Sequence, residues 1–454
     1  MFLDLWEIKN KINMHPRDVF ENPENYIDFL TSKDFEGQYF DHKEVINPYN
    51  SNKVRETKDS ICKCISAFAN RNHDGGLVVL GINDKTQAVT GLDHLTEEQL
   101  NSVLNIDLRN YVSETKSFQI QDKTIYLLYI HYTNNAICET NKANPEAWKR
   151  VGKQSLPLSE ADKQQILRDK RVLDWEGLIL DAEYHEKDVD TKVAESFKSG
   201  YLQDSDYDLD ITEILKQLGA IREQKGILYW TNAGILFFDK SPQRMIAAAT
   251  IRFVRYDYLL AKNPHLSLTS YDKEFSYCPL PVLLQKVRDF LQKTPFLRTF
   301  TVRNADGHLQ DFGQFPYEAV EEGIVNAMVH RDYAMNTTIW CKLYLDAFVV
   351  ENAGRILQAD KQVPDSFTLE NYELSPNPRN RNLFKWISLL RNTEGKPFVK
   401  GISEGTRKMK DLMKKMYFPY PSYNTNGITK MTLTSVPTPE QFEELIQKHK
   451  SHSK

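Results

Sequence analysis

The sequence predicts an α+β protein built from two folded modules, and three observations carry that reading. The chain has 454 residues, too long for one ordinary hydrophobic core. Its composition, 41% hydrophobic and 26% charged, is that of a folded soluble protein. Strand-like apolar runs and amphipathic helical stretches are interleaved along it. The expected organisation is a leader over residues 1–30, an α+β domain over 31–170 and a helical connector over 171–225. An α/β domain over 226–425 and a basic tail over 426–454 complete it.

The leader reads as an amphipathic segment that packs on the domain after it. Residues 36–45 read as a strand. Lys53 to Asn70 reads as a helix, with Ile61, Cys64, Ile65, Phe68 and Ala69 on one face. Gly75-Gly76 turns the chain into Leu77 to Ile82, a continuous apolar strand of the buried kind. After a short turn through Ala88 to Gly91, Thr96 followed by Gln99 has the capping-box spacing of a helix start. Lys116 to Gln121 and Lys123 to His131 read as paired strands, Trp148 to Gly152 as a closing strand, and Ser159 as the cap of another helix. In the connector only Ile211 to Leu218 reads as helical. Gly226 to Asp239 and Ala247 to Tyr256 read as strands, and Pro316 opens a helix over Tyr317 to Arg331. Thr338 to Glu351 alternates like one half-buried strand. What remains reads as loop, with helices over Asn382 to Leu390 and Glu404 to Met416 and a short one at the C-terminus.

Several function classes are excluded. Apolar stretches such as Gly76 to Ile82 and Ile246 to Thr250 are far too short to cross a bilayer. The start, Met1-Phe2-Leu3-Asp4-Leu5-Trp6-Glu7, lacks the basic and apolar regions of a signal peptide. Five cysteines, an odd number, argue for a reducing, cytoplasmic setting without a disulfide framework. Cys62 and Cys64 lie two residues apart on a helix, about 200° of rotation, so they point apart and read as buried thiols. The net charge is −4, and residues 31–170 carry 18 Lys and Arg against 19 Asp and Glu. Binding to a polyanion must therefore come from local arrangement. Residues 395–454 carry 11 basic against 5 acidic residues, which reads as a solvated tail.

The first constellation is Glu36, Asp41, Lys43 and Asp84. Asp41 and Lys43 are two apart, so on a strand they share a face. Glu36 lies at odd spacing, but Gly37 permits a bulge that would re-aim it. Asp84 follows the buried strand at a turn. Clustered carboxylates can hold Mg²⁺ or Mn²⁺, and a nearby lysine can polarise a phosphate. The competing reading is acidic surface residues on an edge strand. The order Glu36-x4-Asp41-x-Lys43, Ser66-Ala67-Phe68-Ala69-Asn70, Gly75-Gly76 to Asp84 and Trp148-Lys149-Arg150-Val151-Gly152-Lys153 resembles the Schlafen AlbA-type domain over roughly residues 33–168. In nuclease members of that family two acids on the first strand and one after the Gly-Gly strand form a metal-dependent RNA-cleaving site. The resemblance places these at Glu36, Asp41 and Asp84, with Lys43 beside them. It also offers Lys43, Arg71, Lys149 and Arg150 as nucleic-acid contacts. Asp41 stands where the family usually has Glu, a reach shorter by one methylene.

The second constellation lies on the helix from Tyr317. Glu318, Glu322, Asn326 and His330 are spaced by four and form one polar stripe, while Val320, Ile324, Ala327 and Met328 face elsewhere. Such a stripe is ordinarily a solvated face. Glu322-x3-Asn326, with His330-Arg331-Asp332-Tyr333 and Val350-Glu351-Asn352-Ala353-Gly354, resembles a divergent GHKL-type ATP-binding domain of bacterial proteins labelled RecG-related or transcriptional regulators. Tyr229 to Phe238 and Ser375-Pro376-Asn377-Pro378-Arg379-Asn380 match the same group, over roughly residues 225–420. The resemblance implies ATP, with Glu322 activating water, Asn326 on Mg²⁺, and His330, Arg331, Asn352, Gly354 and Gly405 around the nucleotide. Asn352-Ala353-Gly354 replaces the usual acidic turn, and Gly401 to Thr406 is a reduced Gly-rich lid.

Together these imply an α+β fold in which a Schlafen AlbA-like α+β domain precedes a GHKL-like α/β sandwich. The implied function is a metal-dependent endoribonuclease on tRNA or structured RNA, coupled to ATP binding, with phage defence as a setting. RNA is favoured over DNA as partner, and a homodimer is expected. The alternative is a nucleotide-gated DNA-binding regulator without nuclease activity. The chain ends about two short helices after the lid, which leaves no room for a winged helix and favours the first reading.

Overall fold

The computed structural model describes residues 15–45, 51–72, 74–202, 209–262, 269–303, 308–358, 363–391, 405–425 and 427–452. The chain divides into two compact units, Met1–Asp174 with Asp360–Gln362, and Trp175–Ala359 with Val363–Lys454. Each is described by itself.

Unit 1 is organised by one strand. In chain order it contains β1 (Phe40–Lys43), α1 (Ser51–Arg71), β2 (Gly76–Leu80), α2 (Glu97–Leu104), β3 (Ser113–Ile120), β4 (Lys123–Ile130), β5 (Trp148–Val151), β6 (Gln154–Pro157) and α3 (Glu160–Asp169). The sheet order is β1-β2-β4-β3, with β1 and β2 parallel and the other pairs antiparallel. β2 is buried throughout and uses both faces. Val78 and Leu80 pack with Ile61, Cys64, Ile65 and Phe68 of α1, while Leu77 and Val79 pack with Val19, Phe20 and Leu30 of the leader. The leader thus does pack on the sheet, through a short helix at Pro16–Glu21. Gly76 permits the close approach of α1, because a Cβ there would lie 2.2 Å from the Phe68 ring. Ser66 and Asn70 are structural: Ser66 Oγ donates to Cys138 O and accepts from Trp148 N, and Asn70 Nδ2 donates to Cys138 O and Trp148 O. The expected capping box forms at Thr96–Gln99, and the Ser159 cap is itself a box with Asp162. The first strand is shorter than expected: Glu36 lies before it, in a turn where Gly37 N donates to Phe40 O.

Unit 2 departs further from the sequence reading. It contains β7 (Ile179–Glu183), α4 (Thr191–Tyr201), α5 (Ile211–Gln217), β8 (Ile221–Gln224), β9 (Ile227–Thr231) and α6 (Asn232–Phe238). After these come β10 (Ile251–Tyr256), β11 (Thr269–Phe275), α7 (Leu280–Lys293), β12 (Thr299–Arg303), β13 (Leu309–Gly313), α8 (Tyr317–His330), β14 (Ile339–Leu343), β15 (Ala347–Ala353) and β16 (Ser366–Thr368). α9 (Arg381–Leu389), α10 (Gly405–Lys415), β17 (Ser422–Asn424), β18 (Ile428–Thr434) and α11 (Pro439–His452) end it.

The main sheet has seven strands in the order β11-β10-β14-β15-β18-β17-β16. Only β10 and β14 are parallel. Thr338 to Glu351 is therefore not one strand but the hairpin β14–β15, closed by Tyr344 N donating to Ala347 O. Nor is Gly226 to Asp239 one strand. Thr231 ends β9, its hydroxyl accepts from Gly234 N, and the seven residues of α6 are all buried. A short, uniformly apolar run carries no period that separates helix from strand. Residues 428–434, which the charge excess reads as tail, form β18 inside the sheet, with Met431 and Leu433 in the core. The connector holds two helices and two strands rather than one helical stretch.

α8 lays Ala319, Val320, Gly323, Ile324, Ala327 and Met328 into the core, as its period predicts. Its C-terminal end is closed by Asn380, whose Nδ2 donates to Val329 O and Arg331 O. The N-terminus of α9 is closed by the buried Glu176, which accepts from Asn382 N and Leu383 N.

Candidate functional site

The residues around β1 form a charge-compensated cluster. Lys43 Nζ lies 2.5 Å from Asp41 Oδ1, so the shared strand face holds. Arg150 Nη1 lies 2.7 Å from Asp41 Oδ2, and the Cys64 thiol donates to the same oxygen at 2.9 Å. Burial by itself would raise the Asp41 carboxyl, but Lys43, Arg150 and the Cys64 thiol hold it below its ordinary value. The Cys64 thiol is pushed up to about 12 by its own burial and by Asp41. Cys62 and Cys64 are buried and free, and so is every other cysteine.

Glu36 is half-buried, and burial together with the Asp41 charge raises its carboxyl. Asp84 is exposed at its turn. Among the described residues no group of three or more His, Cys, Asp or Glu is placed to hold a metal ion. The Mg²⁺ or Mn²⁺ implied at Glu36, Asp41 and Asp84 does not fit this arrangement, because both Asp41 oxygens already meet cations.

The nucleic-acid contacts offered by the sequence separate by burial. Arg150 is 2% exposed and is a structural cation, which corrects its assignment as a contact: it also donates to Gly37 O, Phe40 O and Ser155 Oγ. Lys43 is tied to Asp41, and Lys149 is half-buried against Asp162 at 2.6 Å. Arg71 is half-exposed at the end of α1.

In unit 2 Glu318, the first residue of the α8 stripe, is exposed, while the other three turn into the molecule. Glu322, Asn326 and His330 line one pocket, part of it open to solvent. Val350, Ile356, Leu374, Phe384 and Tyr423 give it apolar walls, and Asn352 and Thr406 add polar groups. Glu318 and Arg331 are not part of this lining. Burial pushes the Glu322 carboxyl up to about 7, against partial relief from Asn326. The Asn326 amide nitrogen is buried and has no partner at hydrogen-bond geometry. Burial, then Arg379, pushes His330 down to about 4, so this imidazole is neutral.

Gly405, at the start of α10, sits directly on the Glu322 carboxyl, since a Cβ there would lie 1.5 Å from Oε1. Gly354 has φ +95° and packs on Asp332, between the lining residues Asn352 and Ile356. Arg331 is fully buried, its guanidinium lies over the Tyr333 ring at 4.8 Å, and its Nε and Nη1 have no hydrogen-bond partner among the described residues. Gly401 to Glu404 of the lid lie outside the described residues.

The ATP implied by the sequence fits in part. The apolar walls and the amide side chains of Asn326 and Asn352 suit a nucleoside, but the described lining residues include no Lys or Arg to meet a triphosphate. Sequence periodicity placed the stripe correctly. It could not show that Phe384, Leu374 and Tyr423, distant in the chain, would roof it.

Among the described residues no helix is long and apolar enough to cross a membrane. None of the curated proteins compared with the chain matches it. A crystal structure of the DIP2311 protein from Corynebacterium diphtheriae aligns with 96% of this chain and 84% of that one, at 18% identity and a TM-score of 0.43. Residues 36–159 match the Schlafen, AlbA_2 family model, and this part of unit 1 is thereby similar to the Schlafen AlbA-type domains, a likeness that ties it to nucleic acid.

Proposed function

We propose that the protein binds nucleic acid through unit 1 and takes a nucleotide in the α8 pocket of unit 2. The family match over residues 36–159 supports the first half. The observation that carries the second is the turn of Glu322, Asn326 and His330 away from water and into one pocket. In this reading Val350, Ile356, Leu374 and Phe384 hold the base and ribose, and the Asn326 amide, beside Glu322 but outside hydrogen-bond geometry, donates to an acceptor on the ligand. ATP is the nucleotide that the GHKL-like resemblance suggests. Binding without strand scission is favoured over cleavage, because Asp41 is already committed to two cations.

The test is a binding and cleavage panel on the full-length protein, with tRNA, single-stranded RNA and duplex DNA, with and without adenosine, ADP and ATP, and with Mg²⁺ and Mn²⁺. Retention of nucleic acid without scission is expected, together with a rise in melting temperature on adding a nucleotide. Asn326→Ala is expected to abolish that rise. Metal-dependent scission lost in Glu36→Ala would overturn the binding-only reading, and no thermal shift with any of the three compounds would overturn the pocket's assignment.

A further inference from the structure

We infer that the Glu36, Asp41 and Asp84 set is not a divalent-metal centre: Asp41 is the counter-ion of a buried latch, and unit 1 engages nucleic acid without a metal. The second clause rests on the nucleic-acid binding proposed above, and the first does not.

Asp41 has no oxygen to spare. Oδ1 meets Lys43 Nζ at 2.5 Å, while Oδ2 meets Arg150 Nη1 at 2.7 Å and the Cys64 thiol at 2.9 Å. A divalent ion at this carboxylate would stand beside two cations, Lys43 and Arg150, so Glu36 and Asp84 would have to supply the rest of the negative charge that Mg²⁺ and Mn²⁺ sites need. Turning Asp41 toward such an ion would also strip the counter-charge from Arg150, whose side chain is 1% exposed. An uncompensated buried guanidinium is among the more costly defects a fold can carry.

The arrangement has a purpose of its own. Arg150 projects from β5 across the Phe68 ring of α1, 5.2 Å from its centroid, and donates Nε to Gly37 O and Nη2 to Phe40 O. Gln38 supports the same contact, donating to Arg150 O and Asn72 Oδ1 and accepting from Gly152 N. Asp41 with Arg150 therefore fastens β1, the turn at 36–39, α1 and the β5–β6 hairpin into one surface. The hairpin's outer side carries Lys149 and Lys153 and the exposed Val151. Asp41 is a positioning residue for that surface.

The experiment uses the full-length protein. Mn²⁺ is titrated and followed by water-proton relaxation in wild type, Asp41→Asn and Glu36→Gln, and all three are expected to give the same curve. Asp41→Asn and Arg150→Met are each expected to lower the melting midpoint by roughly 5 °C, and the double variant by no more than the larger single, because the two act as a unit. Nucleic-acid retention is expected to be equal in EDTA and in Mn²⁺.

One Mn²⁺ per chain lost in Asp41→Asn or in Glu36→Gln would overturn the inference. So would retention abolished by EDTA and restored by Mn²⁺. Should Asp41→Asn fail to fold, the latch is supported, and Glu36→Gln, which the latch does not use, carries the metal arm. If nucleic acid is retained under neither condition, the proposed function falls, while the latch is still judged by the relaxation and melting data.

Discussion

At the scale of single residues, chemistry here is decided by burial. Glu322 and Asp41 are both carboxylates shielded from water, yet they shift in opposite directions. Asp41 has Lys43 and Arg150 against it and is held low, whereas Glu322 faces apolar walls and rises to about 7. A carboxyl whose folded value exceeds its unfolded one stabilises fully below the unfolded value, and that contribution is lost as pH rises through the folded value. For Glu322 the loss runs from about pH 4.5 to about 7, and its full size is on the order of 3 kcal/mol. His330, pushed down to about 4, works in the other direction and withdraws stability as pH falls from 6.5 toward 4. Wild type is therefore expected to lose melting temperature between pH 5 and 8, and Glu322→Gln to flatten that decline. Thermal melts across that range check it, and an unchanged slope would show that Glu322 is ionised in the fold.

At the scale of elements, distant chain segments close the helix ends around the pocket. α9 starts at Arg381, and its first free amides are met by Glu176, more than two hundred residues earlier in the chain. Removing that carboxylate leaves Asn382 N and Leu383 N without partners in a buried setting. Glu176→Ala is expected to cost about 2 kcal/mol, measured by urea unfolding, and to loosen Phe384 at the pocket wall. A loss below about 0.5 kcal/mol would mean that solvent caps α9 just as well.

The elements also show why some strands were legible and others were not. β2 announces itself as five apolar residues bounded by glycines, and α8 by its four-residue spacing. β18, Ile428-Thr429-Lys430-Met431-Thr432-Leu433-Thr434, alternates correctly, but it lies in a basic segment whose charge suggested solvent. α6 is apolar throughout, so its period was silent, and only its cap at Thr231 marks where β9 ends.

At the scale of the whole molecule, the hydrophobic clusters separate along the chain. Those containing Val19 to Ile166 belong to unit 1, and the one running from Tyr184 to Phe442 belongs to unit 2. A fragment with its own core is expected to fold alone. Residues 15–174 expressed by themselves should melt cooperatively and retain whatever nucleic-acid binding the full chain has; a non-cooperative melt would show that unit 1 depends on the remainder.

The sequence by itself determined the organising strand β2, the helices α1 and α8, the capping box at Thr96, the helix cap at Ser159, the free thiols and the two clusters of candidate residues. Each of these is written in local spacing, which a period or a cap can reveal. Only the tertiary structure decided what surrounds each cluster. Arg150 lies 109 residues from Asp41, and their pairing at 2.7 Å turns a suspected metal ligand into a counter-ion. Phe384 and Tyr423 close over Glu322 and Asn326, and a stripe that spacing alone would leave in water becomes the floor of a pocket. The physical reason is the same in both cases. A side chain's charge state and reach depend on what is packed against it, and for Asp41 and Glu322 those neighbours come from far along the chain.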